Sequence, residues 1–394
     1  MRIMFILKSK ILIYGGIEKV LSVVTDNLIK NGNVIKFVVL SPDKESYNKS
    51  KWVDPFLNNK DKVDLFLIDK ENKLDFAKAL LRSFFGFKYN YVKFIKQSIR
   101  DFMPDYIIVV GNPFLISSAK KALKVNNTKA KVVYWDHGFL FGFFLTSRSK
   151  LINTFKFLLK KHIVKLHLKD ADGFLAISSG IKSKILSFLR NANVYVVFNP
   201  IKNYDGQLIK RPSDPKFIYV GRLSEHEKNI SFLLKGMKNL INKNWHLKII
   251  GTGPDEMALK NLSIELGLSD RIEWLGFKKD PYENLDEGVT ALLLTSRFEG
   301  LPTVLIEANQ RGIPVISSDC QPGPKDIVIP GKNGYLYPEG DMDAFVKVVN
   351  DVIDGKLCFG TPEEIAKTAE RFSEDVVCNN IINALKKIGS DQEK

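Results

Sequence analysis

The chain has 394 residues, a length that predicts two domains rather than one. Its composition is 45% apolar and 26% charged, which is typical of globular proteins and excludes disordered, collagenous and coiled-coil chains. No apolar run approaches the roughly 18 residues that a membrane-spanning helix needs, and the short apolar stretch after Met1 lacks a signal-peptide cleavage site. Three widely spaced cysteines without a CxxC pair favour a reducing compartment, the cytoplasm.

The net charge of +15 is unevenly divided along the chain. Residues 1–200 contain 34 Lys and Arg against 15 Asp and Glu, an excess of 19, whereas residues 201–394 contain 25 against 29. A basic half indicates an anionic partner, which could be nucleic acid, an anionic membrane surface or a phosphorylated substrate.

Short apolar segments alternate with helical patterns in both halves of the chain. This alternation predicts α/β architecture, with doubly wound parallel sheets that are covered by helices on both faces. Strands are predicted at Ile3–Leu7, Val34–Leu40, Tyr106–Val110, Lys131–Trp135, Gly173–Ile177, Lys216–Val220, Leu247–Ile250, Ile272–Trp274, Ala291–Thr295 and Pro314–Ser317.

A segment rich in proline and polar residues, 199–215, separates the two halves. We therefore predict two Rossmann-like domains that meet at a cleft near residue 205. They comprise residues 1–200 and 201–375, and a helix at 376–394 is expected to cross back to the first domain. One large sheet with an irregular excursion is the alternative.

Two basic stretches, Phe76–Arg100 and Ser147–Lys169, contain six and seven Lys and Arg and no acidic residue. In the first, apolar residues recur at helical spacing between the cations. This composition is typical of a helix that lies in a membrane interface and binds anionic headgroups, and this is the interpretation that we favour. The alternatives are surface helices packed on their own sheet, or nucleic acid binding, which the helical arrangement of the aromatic residues disfavours.

A candidate anion clamp follows the strand predicted at 216–220. Arg222 comes directly after Gly221, and Lys228 comes six residues later at a predicted helix start. A guanidinium fork and an ammonium group at the carboxyl end of a strand can bind a diphosphate. A surface Arg and Lys in a loop would leave the same pattern.

Two carboxylates, Glu299 and Glu307, are separated by seven residues around a Gly-Leu-Pro turn that opens a predicted helix. The unpaired amides of a helix N-terminus suit an anion. A carboxylate that accepts two hydroxyl hydrogen bonds suits a ribose or a sugar diol. For Glu307 alone, a solvated helix face is the usual interpretation.

Taken in order, these motifs and an early Gly-Gly pair resemble the retaining glycosyltransferases of family four, which have a GT-B fold. The resemblance is strongest over residues 172–345 and weakest over 41–105. Several segments are also similar to bacterial lipopolysaccharide-core 1,6-galactosyltransferases and capsule glycosyltransferases, namely 176–182, 197–200, 291–296 and 318–327.

The resemblance implies a role for each matched residue. Arg222 and Lys228 would neutralise the donor diphosphate, Glu299 would contact the transferred sugar, and Glu307 would bind the nucleotide ribose. In the first domain, His137 matches the region of the active-site residue, with Asp136 an equally placed candidate. The further donor-binding positions implied are Gly15, Gly16, Gly221, Gly253, Gly300, Leu301, Pro302 and Thr303.

The reaction implied is retaining transfer of a hexose from a nucleotide diphosphosugar to an acceptor hydroxyl. Front-face attack is expected because no nucleophilic carboxylate is evident. Fixed cations and helix amides would stabilise the leaving diphosphate, so neither a metal nor another cofactor is expected. The triplets Asp170-Ala171-Asp172 and Asp341-Met342-Asp343 are interpreted as turn and cap residues.

UDP-galactose is the donor that the resemblance favours, while glucose or an N-acetylhexosamine would fit the same motifs. The acceptor implied is a lipopolysaccharide, capsule or lipid-linked glycan, reached by a cytoplasmic protein at the inner face of an anionic membrane. No nucleic acid partner is expected. Two other classes stay open: a GT-B-fold UDP-sugar epimerase, against which the Glu-x7-Glu motif argues, and a degenerate, non-catalytic partner subunit.

Overall fold

A computed structural model describes the protein at residues 1–8, 16–41, 63–67, 91–138, 140, 161–241, 244–283, 285 and 287–390. The chain divides into two compact units. Unit 1 comprises Met1–Pro200 and Glu374–Lys394, and unit 2 comprises Ile201–Ser373. Each unit is built on a parallel β-sheet.

The sheet of unit 1 is formed by β1 (Arg2–Lys8), β2 (Val34–Ser41), β3 (Val63–Leu67), β4 (Tyr106–Val110), β5 (Lys131–Asp136), β6 (Gly173–Ala176) and β7 (Val194–Val196). All neighbouring strands are parallel, in the order β3-β2-β1-β4-β5-β6-β7. Residues 3–7 of the central strand β1 are fully buried, as expected for a strand with apolar side chains on both faces. Helices α1 (Ile17–Lys30), α2 (Val92–Phe102), α3 (Ile116–Val125) and α4 (Ser179–Phe188) connect these strands, and residues 161–168 are also helical.

The sheet of unit 2 is formed by β8 (Lys216–Val220), β9 (His246–Ile250), β10 (Ile272–Gly276), β11 (Ala291–Leu294), β12 (Val315–Ser318) and β13 (Gly334–Tyr337). Its parallel strands lie in the order β10-β9-β8-β11-β12-β13. The helices are α5 (Glu225–Lys228), α6 (Ile230–Lys238), α7 (Glu256–Glu265), α8 (Thr303–Gln310), α9 (Met342–Ile353) and α10 (Pro362–Ala369). Phe217, Leu293 and Phe345 are fully buried in the core of this unit.

The last helix, α11 (Glu374–Ser390), belongs to unit 1. At its start the Asn27 side chain donates a hydrogen bond to Asp375 over 2.8 Å. Near its end Ile388 lies so close to β6 that a Cβ on Gly173 would come within 2.5 Å of it. Gly173 therefore gives the room in which this helix packs on the sheet of unit 1.

The prediction of two parallel α/β sheets is confirmed. All ten predicted strands are present, with ends that differ by at most two residues. The sequence analysis missed β3, β7 and β13. Strand β7 has only three residues, and β13 begins directly after the turn-forming segment Pro330-Gly331-Lys332-Asn333, so neither leaves a periodic apolar pattern.

Only the ends of the two basic stretches, residues 91–100 and 161–169, lie within the described residues. Ile95 and Ile99 in the first, and Val164 and Leu168 in the second, are completely buried in unit 1. For these residues the expectation that the apolar face lies in a membrane interface is wrong, since that face packs on the protein itself. Within the described segments, no helix combines the length and the hydropathy that a membrane span requires.

We expect unit 1 to depend on the packing of α11. Leu385 is fully buried, so Leu385→Ala should lower the free energy of unfolding of unit 1 by about 2–5 kcal/mol through lost apolar contact and a residual cavity. Differential scanning calorimetry should show this as a lower transition temperature for unit 1. The control Val376→Ala lies on the same helix but is 41% exposed and should change that temperature little. Equal effects of the two substitutions would contradict the docking of α11.

Candidate active site

The sequence-predicted residues of unit 2 follow strands β8, β9 and β11 at the carboxyl edge of the sheet. Because neighbouring parallel strands end at the same edge, the segments after them converge there. Gly221 and Arg222 follow β8, Gly253 follows β9, and Glu299 follows β11. This edge is therefore the candidate active site of unit 2.

Arg222 presents an exposed side chain directly after β8. Its carbonyl accepts a hydrogen bond from the Tyr219 hydroxyl over 3.2 Å, which holds the backbone. Burial, together with the charges of Glu299 and Glu225, raises the pKa of Tyr219, so this hydroxyl stays protonated as a donor. Among the described residues no carboxylate pairs with the Arg222 guanidinium, which leaves it available to an anionic ligand.

Two glycines allow the loop after β9 to pack against the loop that contains Arg222. A Cβ on Gly251 would lie 1.9 Å from the Gly221 carbonyl oxygen, and a Cβ on Gly253 would lie 2.1 Å from the Leu223 carbonyl oxygen. The Leu223 amide donates to the Thr252 carbonyl over 2.9 Å across the same contact. Gly253 therefore has a structural reason to lack a side chain, because it lets the two loops meet.

Lys228 and Glu299 form a partly buried ion pair, with 2.5 Å between Nζ and Oε1 and side-chain exposures of 22% and 12%. The Ser296 hydroxyl donates to the same carboxylate oxygen over 2.7 Å. Burial disfavours the charged ammonium, but attraction and hydrogen bonding to Glu299 outweigh that effect and raise the pKa of Lys228. The structure thus brings together two of the predicted site residues and keeps the lysine charged.

Arg297 holds the segment that contains Lys228. Its guanidinium donates to the backbone carbonyls of Glu225 and His226 and to the Asn229 side chain, and its own amide donates to the Glu227 carbonyl over 2.9 Å. The Thr295 hydroxyl is within hydrogen-bonding distance of the Lys228 and Asn229 carbonyls, at 3.1 and 3.2 Å. The residues after β11 therefore fix the turn after β8 at several points.

Helix α8 begins at Thr303, after the buried residues Leu301 and Pro302. No side chain of the described residues caps its N-terminus, so amides of its first turn are available to an anion. A Cβ on Gly323 would lie 2.5 Å from the Gly300 carbonyl oxygen, which shows how tightly the segment after β12 packs on this turn. Glu307 lies one turn beyond Thr303 on the same helix face.

Cys320 lies near this ion pair but is not a nucleophile. Burial, followed by the negative charge of Glu299, raises the pKa of its thiol to about 12. The thiol therefore stays protonated at neutral pH, and it contributes to the packing beneath the site.

In unit 1, Asp136 ends β5 and is completely buried. Its carboxylate accepts a hydrogen bond from the Gly138 amide over 3.0 Å and acts on Tyr134, whose pKa is raised by burial and by this neighbouring charge. His137 follows, with its ring 4.6 Å from that of Trp135. Part of the His137 surface stays accessible, yet both ring nitrogens are buried without a hydrogen-bond partner among the described residues, and burial lowers its pKa to about 3.

The glycine loop of unit 1 is only partly visible. Gly15 lies outside the described residues. Gly16 precedes α1 with φ of 109°, a conformation that favours glycine, and a Cβ there would meet no atom of the described residues within 4 Å. The use of Gly16 at a ligand stays a prediction.

Asp341 and Asp172, one from each aspartate triplet, bind partners within the protein. The carboxylate of Asp341 caps α9 by accepting from the Ala344 amide over 2.9 Å, which confirms its prediction as a cap residue. Asp172 pairs with Lys120 at 2.6 Å and also accepts from the Val132 amide. Across the described residues, no cluster of three His, Cys, Asp or Glu side chains could hold a metal ion.

The model of the family "Glycosyl transferases group 1" matches residues 200–374. Over 360 residues the chain is 34% identical to the lipopolysaccharide 1,6-galactosyltransferase of Salmonella typhimurium, covering 85% of this chain and 93% of that relative. Among solved structures it is similar to the lipopolysaccharide outer core galactosyltransferase WaaB in its apo form, with TM-score 0.78, 30% identity and coverage of 98% and 99%. Anabaena HepE in complex with UDP matches with TM-score 0.71 and 17% identity over 98% and 100% of the chains.

These similarities and the two parallel sheets define a glycosyltransferase with the GT-B fold. The chain belongs to the glycosyl transferases group 1 family and is a hexosyltransferase.

The sequence analysis assigned no role to Arg297 or Ser296, both of which contact the predicted site. Both lie between Thr295 and Glu299, so the sequence itself shows that they are close to a predicted site residue. Ser296 bonds to Glu299 only three positions later, whereas the partners of Arg297 lie about 70 positions earlier in the chain, across the β8–β11 pair, and no local pattern reports such distant contacts.

We expect Arg297→Ala to loosen residues 225–229 because four hydrogen bonds from the guanidinium to this segment are lost. Amide hydrogen exchange there should become roughly 10- to 100-fold faster, the range that charge-assisted hydrogen bonds support. Arg297→Lys should restore only part of the protection, since an ammonium cannot reproduce the fork. Arg211→Ala, which removes another arginine bonded to a carbonyl of unit 2, is the control and should leave 225–229 unchanged. Unaltered exchange in Arg297→Ala would refute the bracing role.

The buried His137 makes the stability of unit 1 depend on pH. Its pKa is about 3 in the fold and about 6.5 when unfolded, so below pH 6.5 protons bind preferentially to the unfolded chain. This stability is present above pH 6.5 and is lost progressively as the pH falls toward 3. Between pH 7 and 5.5 the wild type should therefore lose about 1 kcal/mol relative to His137→Asn. The exposed His162 gives the control His162→Asn, which should track the wild type in denaturant titrations.

Proposed function

We propose that the protein is a retaining galactosyltransferase that moves galactose from UDP-galactose onto a lipopolysaccharide or related lipid-linked glycan. The observation that carries this proposal is that two cations follow β8 at one edge of the sheet: Arg222 is exposed, and Lys228 is held in place and kept charged by Glu299. The N-terminus of α8 follows Glu299 in the chain and offers amides as further donors. This set of donors suits a diphosphate.

The Lys228–Glu299 pair supports the role of each partner. An ammonium held in place by a carboxylate is ready to bind a phosphate oxygen without first losing rotamer freedom. Once the diphosphate shares that ammonium, Glu299 can accept hydrogen bonds from hydroxyls of the transferred sugar. Glu307, one helical turn beyond Thr303, is proposed to bind the ribose hydroxyls.

The growing charge on the leaving UDP is then stabilised by fixed groups of unit 2. Arg222, Lys228 and the first amides of α8 are all in place before reaction, so no reorganisation opposes the transition state. We assign the acceptor's proton to the leaving diphosphate, in a front-face attack that retains the anomeric configuration.

In unit 1, His137 is a better candidate than Asp136 for contact with substrate. The Asp136 carboxylate is buried and bound to the Gly138 amide. His137 is partly accessible, and its low pKa keeps the imidazole neutral at physiological pH. Gly16, with Gly15 before it, would allow backbone approach to the donor.

The proposed donor and acceptor are inferred from the ligands and the named activities of similar proteins. HepE was solved with UDP, and the similar lipopolysaccharide enzymes are named as galactosyltransferases. A lipid-linked acceptor would place the protein at the inner face of the membrane, and the excess of 19 positive charges in residues 1–200 suits that anionic surface.

A donor screen tests this proposal. Thermal shift with UDP-, GDP- and ADP-sugars should show stabilisation by UDP-galactose above the others, because a ligand that binds only the folded state raises its stability.

Arg222→Ala and Glu299→Gln should each lower the rate of sugar transfer by about 100-fold or more while the fold is kept, which is the scale of losing one preorganised transition-state contact. Arg211→Ala is the control for a lost surface arginine. Turnover close to wild type in both site variants would end this assignment.

A further inference from the structure

The amino edge of the unit 1 sheet, opposite the edge where Asp136 ends β5, carries two open grooves. One groove of about 670 Å³ lies at the starts of β6 and β7, between the helical residues 161–168 and the end of α4. A second groove of about 870 Å³ lies at the starts of β4 and β5. Since β4, β5, β6 and β7 are parallel neighbours, both grooves follow the same edge. We call it the amino-edge surface.

Positive charge dominates this surface. Among the residues that the structure describes, eight cations and two acidic residues line the two grooves. One of the acids, Asp172, is already matched by Lys120. The C-termini of helix 161–168 and of α4 also lie here, but each offsets only about half a positive charge. The cations are Lys161, Lys165, Lys169 and Arg190 in the first groove and Arg100, Lys129, Lys131 and Lys386 in the second.

The first groove combines cations with an aromatic ring. Lys161 lies over the Phe188 ring at 5.7 Å, and Lys165, Lys169 and Arg190 line the same groove. Four cations on one groove raise the local positive potential, which an anionic ligand would offset.

Apolar side chains stand out from the same edge. Met103, between α2 and β4, is 70% exposed, and Val125, at the end of α3, is 47% exposed. Neither is needed in the core, and both flank the second groove. A soluble polyanion would gain little from them, whereas a lipid surface would bury them among headgroups and acyl chains.

We propose that the amino-edge surface binds an anionic phospholipid membrane, with phosphate headgroups in the two grooves and Met103 and Val125 inserted at the interface. This deepens the peripheral membrane association proposed above and assigns it to a sheet edge rather than to the apolar faces of the basic helices. Those faces are buried wherever the structure describes them. The strands of unit 1 would then stand upright on the bilayer.

This orientation on the membrane limits which acceptors can reach the carboxyl edge of unit 1. A strand of five or six residues is about 17–20 Å long, so the carboxyl edge of unit 1 would lie at least that far from the headgroups. An acceptor hydroxyl at this height belongs to a sugar already separated from its lipid by other sugars. The surface therefore selects extended lipid-linked oligosaccharides over a sugar attached directly to lipid.

Vesicle co-sedimentation of the full chain tests the charges. Lys165→Gln/Arg190→Gln should weaken binding to phosphatidylcholine vesicles containing phosphatidylglycerol by about 30-fold, the effect of two cations at an anionic surface. The control Lys30→Gln/Lys235→Gln also removes two cations from the last turns of helices and should bind like the wild type. Equal binding by both double variants, or failure of the wild type to bind these vesicles, would overturn the proposal.

A second variant distinguishes binding to a lipid surface from binding to a soluble anion. Met103 has φ of 45°, which asparagine adopts readily, so Met103→Asn should fold normally. It should weaken vesicle binding but leave inorganic polyphosphate binding unchanged. If polyphosphate binds through the grooves while vesicle binding ignores Met103, the partner is a soluble polyanion and the lipid assignment fails. UDP binding by every variant is measured in parallel: a protein that binds vesicles but no UDP would sink the proposed function alone.

Discussion

The ion pair between Lys228 and Glu299 is the interaction on which the candidate site depends. Both side chains are largely buried, so each charge needs the other, and removing either would leave an unpaired charge at the edge of the core. The pair also fixes the spacing between the turn after β8 and the turn after β11. The position and the charge of Lys228 are therefore determined before any ligand binds.

Contacts between neighbouring strands fix the positions of Lys228 and Arg222. Strands β8 and β11 lie side by side although about 70 residues separate them, and Arg297 and Thr295 bind the backbone of residues 225–229 across that contact. On the other side of β8, Gly251 and Gly253 let the loop after β9 support the loop of Arg222. Contacts within unit 2 thus hold both candidate cations: Arg297 and Thr295 fix the segment of Lys228, and the packing of two loops supports Arg222.

The sequence was most informative where function and local pattern coincide. Gly221-Arg222, Lys228 and the Glu299–Glu307 spacing are local signals, and the alternation of apolar segments gave both sheets. Contacts that depend on the sheet order, such as the bonds of Arg297, could not be predicted because no residue pattern reports which strands are neighbours. The same reason explains the basic helices: the sequence shows that Ile95 and Ile99 form an apolar stripe, but not that unit 1 itself covers it.

A parallel sheet has two chemically different edges, and unit 1 illustrates how they can be used separately. In unit 1 the candidate residues Asp136 and His137 lie at the carboxyl edge, while the described part of the amino edge receives the ends of helices, the last helix α11 among them. Lysines and arginines are favourable at those helix C-termini regardless of function. Positive charge can therefore accumulate at the amino edge without disturbing the opposite edge, which makes it the natural place for contact with a large anionic surface. Such an arrangement keeps electrostatic attachment apart from the neutral imidazole of His137, whose protonation burial already prevents at physiological pH.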